Sequence, residues 1–270
     1  MAASVRHRAR AQRVGSALAL LLALALLTLN FGVIDLVDGF TGFVDQQRNP
    51  VLDVGWGALF GIVLPIGLLS QVRQPERRIA GLQQCALVAF VLAVAGAMGG
   101  AWRYLVLAGA LGGAVALLVA LHPARHTFLR RGRVVLPLLL LAGAAAGPCL
   151  VYARRMASAQ RRHLPPADAV SNGLHHWPVL AALALSVFLL AGLAALGTAG
   201  WRIPSWSAAL AGVAWGVSCL RYPDAAGSEG RAWALAALIW GLAAVAVTEI
   251  EARRIRRSLL AGAVPIPSRA

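Results

Sequence analysis

Residues 178–199 read PVLAALALSVFLLAGLAALGTA and contain no charged side chain. A helix of this length rises about 33 Å, enough to cross the roughly 30 Å hydrocarbon core of a bilayer. Polar and apolar residues do not alternate here as they would in a strand of a membrane barrel. The stretch therefore predicts a transmembrane helix.

Seven further stretches have the same character. The chain of 270 residues is 59% hydrophobic and 13% charged, about half the charged fraction of a usual soluble domain, and its mean hydropathy is +0.72. We predict an all-α integral membrane protein, a helical bundle of eight transmembrane helices. They are Val14–Val37, Val51–Val72, Ile79–Gly99, Tyr104–Leu121, Val134–Ala153, Pro178–Ala199, Pro204–Leu220 and Ala232–Ile250.

These helices form one predicted domain over residues 14–250, between a basic segment at 1–13 and a basic tail at 251–270. No clear cleavage site follows the first apolar run, so we expect an uncleaved helix rather than a signal peptide. Corresponding loop lengths permit a weak repeat of two four-helix halves, 14–121 and 134–250.

The arginines predict the orientation of the chain. With a cytoplasmic N-terminus, the cytoplasmic segments hold 17 of the 25 arginines and the outer segments hold eight. This bias follows the positive-inside rule. We predict a multi-pass protein of the cell (inner) membrane with both termini cytoplasmic. The outer segment 154–177 is the exception, because it holds four arginines.

The formal net charge of +15 does not indicate a nucleic-acid-binding protein. The arginines lie in short clusters beside apolar runs, where anionic lipid headgroups attract cations. They do not form one basic stripe with interleaved aromatic residues. The predicted partner is therefore a bilayer with anionic headgroups, and not a nucleic acid.

The interior of the predicted bundle lacks charged residues in the middle of any span. Such residues usually mark ion or proton paths, so the sequence disfavours ion-coupled transport through a buried carboxylate.

Trp215 and Trp240 lie deeper than the other tryptophans and could pack together or line a ligand cavity. Three glycine pairs, each four residues apart, predict close helix packing: Gly57 and Gly61, Gly109 and Gly113, Gly212 and Gly216.

Polar side chains gather in and beside two long segments on the predicted outer side. Both segments lead into helices that could be neighbours, so acidic and histidine side chains could meet. Histidine titrates near neutral pH, and a carboxylate can orient it. The candidate ligand-binding residues are Asp35, Asp53, Arg161, Arg162, His163, Asp168, His175 and His176. The alternative is that these residues form ion pairs between loops or lie at the headgroup level.

No motif specifies a reaction, a catalytic residue or a cofactor. The chain has no CxxC pair, HExxH helix, phosphate loop or lysine, and Pro123 separates His122 from His126, so we predict no metal site. The first hypothesis is a membrane protein with an outward-facing polar site for an anionic or lipid-linked ligand. The alternatives are a transporter or permease, and a scaffold or accessory subunit. Whether the protein is an enzyme stays open.

Overall fold

The computed structural model describes residues 2–41, 50–162 and 176–262, with side chains at 10–41, 50–162 and 176–258. No strand occurs in these ranges. The α-helices are α1 (Ala2–Thr28), α2 (Gly32–Thr41), α3 (Pro50–Gly57), α4 (Leu64–Leu69), α5 (Ile79–Gly99), α6 (Trp102–Leu121), α7 (Leu136–Arg162), α8 (Trp177–Ala195), α9 (Arg202–Arg221) and α10 (Gly230–Gly262). Eight helical stretches are long and apolar enough to cross a membrane: α1 with α2, α3 with α4, and α5 to α10 singly. This confirms the predicted all-helical fold and the predicted number of such helices.

Successive apolar stretches alternate in direction, so the bundle has two ends. We call one the Asp53 end, where α3, α6, α8 and α10 begin. The other is the Gln71 end, where α4 and α6 finish and α7 begins. The most buried stretches are α3 with α4 and α8, while α1 with α2, α6 and α10 are the least buried. Apolar exposure on the outer helices is the surface that a bilayer would cover.

The first apolar stretch is broken, although the sequence predicts one helix over Val14–Val37. Helix α1 ends at Thr28 and α2 begins at Gly32. Between them Phe31 has a φ of 57°, in the left-handed region that few residues other than glycine adopt. The indole Nε1 of Trp56 donates a hydrogen bond of 2.8 Å to the carbonyl oxygen of Asn30. That hydrogen bond satisfies one of the backbone carbonyl groups that the break in the helix leaves without an intrahelical partner.

A π-helical segment, Ala58–Val63, joins α3 to α4. Wider π turns disturb the regular backbone hydrogen bonding. The buried amide Nε2 of Gln84 donates to the carbonyl oxygen of Val63 at 2.5 Å and to Oγ of Ser207 at 2.9 Å. One side chain of α5 therefore ties the π segment to α9.

The three glycine pairs differ in what they contact. A Cβ on Gly61 would lie 2.6 Å from the carbonyl oxygen of Gly32, and one on Gly57 would lie 2.5 Å from the nitrogen of Leu36. Gly216 likewise approaches α10, where a Cβ would lie 2.9 Å from a backbone oxygen. In contrast, Gly109 and Gly113 of α6 have no atom of another described element within 4 Å of the Cβ position. The expected close packing is therefore confirmed at Gly57, Gly61 and Gly216, whereas Gly212 makes only ordinary contact with the Trp240 ring. Among the described residues the expectation is wrong for the α6 pair.

The second half of the chain places four helices around a gap. Helix α7 packs along α8, α8 packs against α9, and α10 packs along α9, whereas α7 and α10 make little contact. Helix α7 also continues to Arg162, about two and a half turns beyond its predicted end at Ala153. The part of α7 after Ala153 stays helical because alanine, methionine and glutamine favour helix. In addition, Met156, Ala157 and Gln160 are buried against the bundle.

Candidate functional site

Two of the predicted site residues meet at the Asp53 end. Nδ1 of His176 lies 3.6 Å from Oδ1 of Asp53, and their side chains are 10% and 5% exposed. The ring of Trp56 stacks on the imidazole at a centroid distance of 4.9 Å and an interplanar angle of 28°. A carboxylate thus faces the imidazole edge, and an indole covers its face.

Local sequence explains this arrangement. Asp53 lies in the first turn of α3, where the helix dipole favours a negative charge. Trp56 follows three residues later, so both side chains project from the same face of the helix. His176 precedes Trp177, the first residue of α8, and Pro178 is well placed in that first turn because its missing N–H needs no partner there.

Of the other six candidate residues, three lie in the described ranges: Asp35, Arg161 and Arg162. Asp35 is buried on α2 and has contacts of its own. Arg161 and Arg162 are exposed at the end of α7, and no hydrogen bond or ion pair joins them to Asp53 in the described ranges. The remaining three, His163, Asp168 and His175, lie outside the described residues.

No group of three metal-ligating side chains occurs within 10–41, 50–162 and 176–258. The Asp53–His176 pair by itself offers two ligands, fewer than the three protein ligands of usual catalytic zinc sites. Without a metal, the Asp53 carboxylate is placed to orient the His176 imidazole.

A groove of about 530 Å³ lies between α7 and α10, with α8 and α9 as its floor. This volume falls in the usual range of small-molecule sites, about 300–1,000 Å³. Most of its wall is alanine, leucine, valine and tryptophan. Val151 and Trp233 on its two rims are 62% and 50% exposed, so the groove is open along its side. The two deeper tryptophans, Trp215 and Trp240, both line the groove.

The end of the groove nearest to Asp53 is polar. Arg155 of α7 donates from Nη1 to Oε2 of Glu229, in the turn before α10. Burial raises the pKa of the Glu229 carboxyl, while the adjacent Arg155 guanidinium opposes that rise. An arginine and a glutamate therefore lie side by side where the apolar wall ends.

The turn that carries Glu229 is held firmly. Gly227 has a φ of +86°, which favours glycine, and a Cβ there would lie 2.8 Å from the Leu180 side chain. The hydroxyl of Tyr152 donates to the carbonyl oxygen of Gly227 at 2.5 Å, and it accepts from Nε1 of Trp215 at 3.1 Å. The Tyr152 hydroxyl therefore has a protein partner for its donor and one for its acceptor. It helps to position Glu229 and does not need a partner in the groove.

Sequence reasoning did not single out Tyr152, Arg155 or Glu229 as site residues. Because the predicted helix ends at Ala153, Arg155 falls in a predicted loop, and its only signal is that it belongs to the arginines of the predicted outer segment that break the positive-inside rule. A scan against protein-family models, a search of curated proteins and a search of solved structures found no match. Function must therefore be inferred from the residues themselves.

Proposed function

We propose that this chain is a multi-pass membrane protein that binds a lipid, with an acyl chain in the groove and an anionic part of the head group at Arg155. The observation that carries the proposal is the combination of an open apolar groove with a charged end. Such a shape complements an amphipathic ligand, whose apolar and polar parts need different surroundings.

The depth of the groove supports an acyl chain. Its lining residues on α7 run from Ala144 to Arg155, which corresponds to about 16 Å along a helix. That is about half of the roughly 30 Å hydrocarbon core, the share of one leaflet. The side opening between α7 and α10 gives a lipid a route from the bilayer without passing through water.

The charge beyond the groove supports an anionic head group. Arg162 lies seven residues after Arg155 on α7, so two helical turns, about 10 Å, separate two arginines on nearly the same face. Both side chains are exposed. The predicted ligand residues Arg161 and Arg162 would then attract a phosphate toward Arg155 rather than bind at the Asp53–His176 pair.

We propose the orientation that the arginine distribution predicts, with both termini cytoplasmic and the Asp53 end outside, in the cell (inner) membrane. An impermeant maleimide should label Asp224→Cys in intact cells and should label Ser258→Cys only after lysis, in a background without native cysteines. Both positions are exposed. Labelling of Ser258→Cys alone in intact cells would overturn the orientation.

Lipid retention by the purified full-length protein tests the proposal. Native mass spectrometry should show one retained phospholipid on the wild-type protein and its loss from Ala237→Trp, which fills the groove. Ala116→Trp is the matched control, because Ala116 is exposed on α6 away from the groove. Equal retention by both variants would refute the proposal.

A further inference from the structure

We propose that the groove selects a zwitterionic aminophospholipid, with the phosphate at Arg155 and the primary ammonium at Glu229. This inference rests on the proposed function, since it assumes that a lipid occupies the groove. It adds the chemical class of the head group, which the apolar wall does not determine.

The two oxygens of the Glu229 carboxylate have different surroundings. Oε2 accepts from Nη1 of Arg155. Oε1 is buried and has no hydrogen-bond partner in the described part of the chain. A buried carboxylate oxygen without a donor is unfavourable by an amount comparable to a lost charge-assisted hydrogen bond. Glu229 lines the groove and its side chain is 13% exposed, so a donor carried by the ligand can reach Oε1 once the carboxylate turns this oxygen toward the groove.

Arg155 has capacity for an anion in addition to Glu229. Its side chain is 61% exposed, and a guanidinium carries five N–H donors, of which the hydrogen bond to Glu229 uses one. Planar pairs of such donors match the oxygens of a phosphate. One end of the groove therefore offers a cation and an anion to the same head group.

Two chemical classes of head group fit this end less well. A phosphocholine has a quaternary ammonium without an N–H, so it brings charge but no donor for Oε1. A phosphoglycerol brings hydroxyl donors but no positive charge, and its net negative charge meets Glu229. A phosphoethanolamine brings both the donor and the positive charge. The neighbouring hydroxyl of Tyr152 does not compete, because its partners are Gly227 and Trp215.

A competition experiment tests the inference. The purified full-length protein is mixed with equimolar dioleoyl phosphatidylethanolamine, phosphatidylcholine and phosphatidylglycerol, and native mass spectrometry measures the ratio of single-lipid adducts. We expect the ethanolamine lipid to exceed each competitor about tenfold, since a hydrogen bond to a charged group is usually worth at least that factor. Glu229→Gln should bring the ratio to phosphatidylcholine close to one, and Glu229→Asp should keep most of the preference.

The swapped variant Arg155→Glu with Glu229→Arg separates recognition from a structural role. It retains an ion pair between α7 and the turn but reverses the charges that face the head group. If these charges recognise the head group, the swapped variant should lose the preference for phosphatidylethanolamine. A preference retained by this variant, or by Glu229→Gln, would overturn the inference.

Lipid retention by Ala237→Trp distinguishes a failure of the proposed selectivity from a failure of the proposed lipid binding. If Ala237→Trp removes the bound lipid but the wild-type protein retains the three lipids equally, the groove binds lipid without this selectivity. If Ala237→Trp retains as much lipid as the wild type and Ala116→Trp, the groove holds no lipid and both statements are wrong.

Discussion

The hydroxyl of Tyr152 donates a hydrogen bond of 2.5 Å to the carbonyl oxygen of Gly227, 75 residues later in the chain. Because it also accepts from Nε1 of Trp215 at 3.1 Å, one buried hydroxyl connects α7, α9 and the turn before α10. Glu229 lies two residues after Gly227. The hydrogen bonds that stabilise the bundle here therefore also position the charged end of the groove.

Removing this hydroxyl should weaken both stability and lipid retention. Tyr152→Phe leaves the Gly227 carbonyl and the Trp215 indole without their partner, so we expect the free energy of unfolding to fall by about 1–3 kcal/mol. Chemical unfolding in detergent measures the first effect, and native mass spectrometry measures the second.

Tyr222→Phe is the matched control. Its hydroxyl accepts from Nε of Arg221 in an exposed pair, where a single hydrogen bond contributes little because water replaces it. We expect a change within about 0.5 kcal/mol. Equal losses in the two variants would show that the Tyr152 hydroxyl has no special structural role.

The glycines of the crossing between α2 and the π segment should not tolerate alanine. In Gly61→Ala the new methyl would lie 2.6 Å from the carbonyl oxygen of Gly32, and backbone atoms must move apart. Overpacking of this kind usually costs about 1–3 kcal/mol. Thermal unfolding in detergent should therefore give a lower midpoint for Gly61→Ala.

The α6 glycines give the opposite expectation. The new methyl groups of Gly109→Ala and Gly113→Ala would have no atom of another helix within 4 Å in the part of the chain that the structure describes, and alanine is a better helix former than glycine by up to about 1 kcal/mol. Their midpoints should stay equal or rise. If these variants lose as much stability as Gly61→Ala, the α6 face packs against something that this fold does not contain.

The number of apolar helices could be predicted from the sequence, because hydropathy averaged over about 20 residues reports a property of the whole stretch. The ends of the helices are harder to predict. Hydropathy falls after Ala153, but the backbone of α7 continues to Arg162, since polar residues with good helix propensity extend a helix beyond its apolar part. The break at Phe31 was also missed, because it depends on close contact between Gly32 and the backbone of Phe60.

The candidate site could be predicted only in part. Asp53 and His176 each lie beside a helix start at the same end of the bundle, so their meeting followed from topology. The groove could not be predicted in this way, because it results from the limited contact between α7 and α10. Such a gap depends on how four helices cross in three dimensions, and no local pattern around Tyr152 or Glu229 encodes it.

Gln84 should be essential for the stability of the π segment. Gln84→Met keeps a similar volume but removes the donor to the Val63 carbonyl and to Ser207, and both acceptors are buried. We expect a loss of about 1–3 kcal/mol, measured by chemical unfolding. Ser207→Ala alone should cost less, because Gln84 would still bind Val63.

The double variant of Gln84→Met and Ser207→Ala tests whether the two side chains act together. Contacting residues usually show a coupling of about 0.5–3 kcal/mol. The combined loss should therefore be smaller than the sum of the single losses. Strict additivity would contradict the hydrogen bond between them.

His122 at the Gln71 end should make stability depend on pH. Its side chain is buried, and burial lowers the pKa of the imidazole, although a hydrogen bond with the Pro75 backbone and the charge of Glu76 raise it in part. A group whose pKa is depressed in the folded state stabilises the protein above its ordinary pKa, about 6.5 for histidine, and this stabilisation is lost as the pH falls below that value. In the wild type the Ala124 N–H donates a hydrogen bond of 3.1 Å to Nδ1 of His122. His122→Asn keeps an acceptor for this N–H, but the asparagine side chain cannot be protonated.

Between about pH 7.5 and about pH 5 the unfolding midpoint of His122→Asn should therefore fall less than that of the wild type. His126→Asn is the control, because His126 is exposed and should behave like the wild type; identical pH profiles for all three proteins would assign the acid sensitivity to other groups.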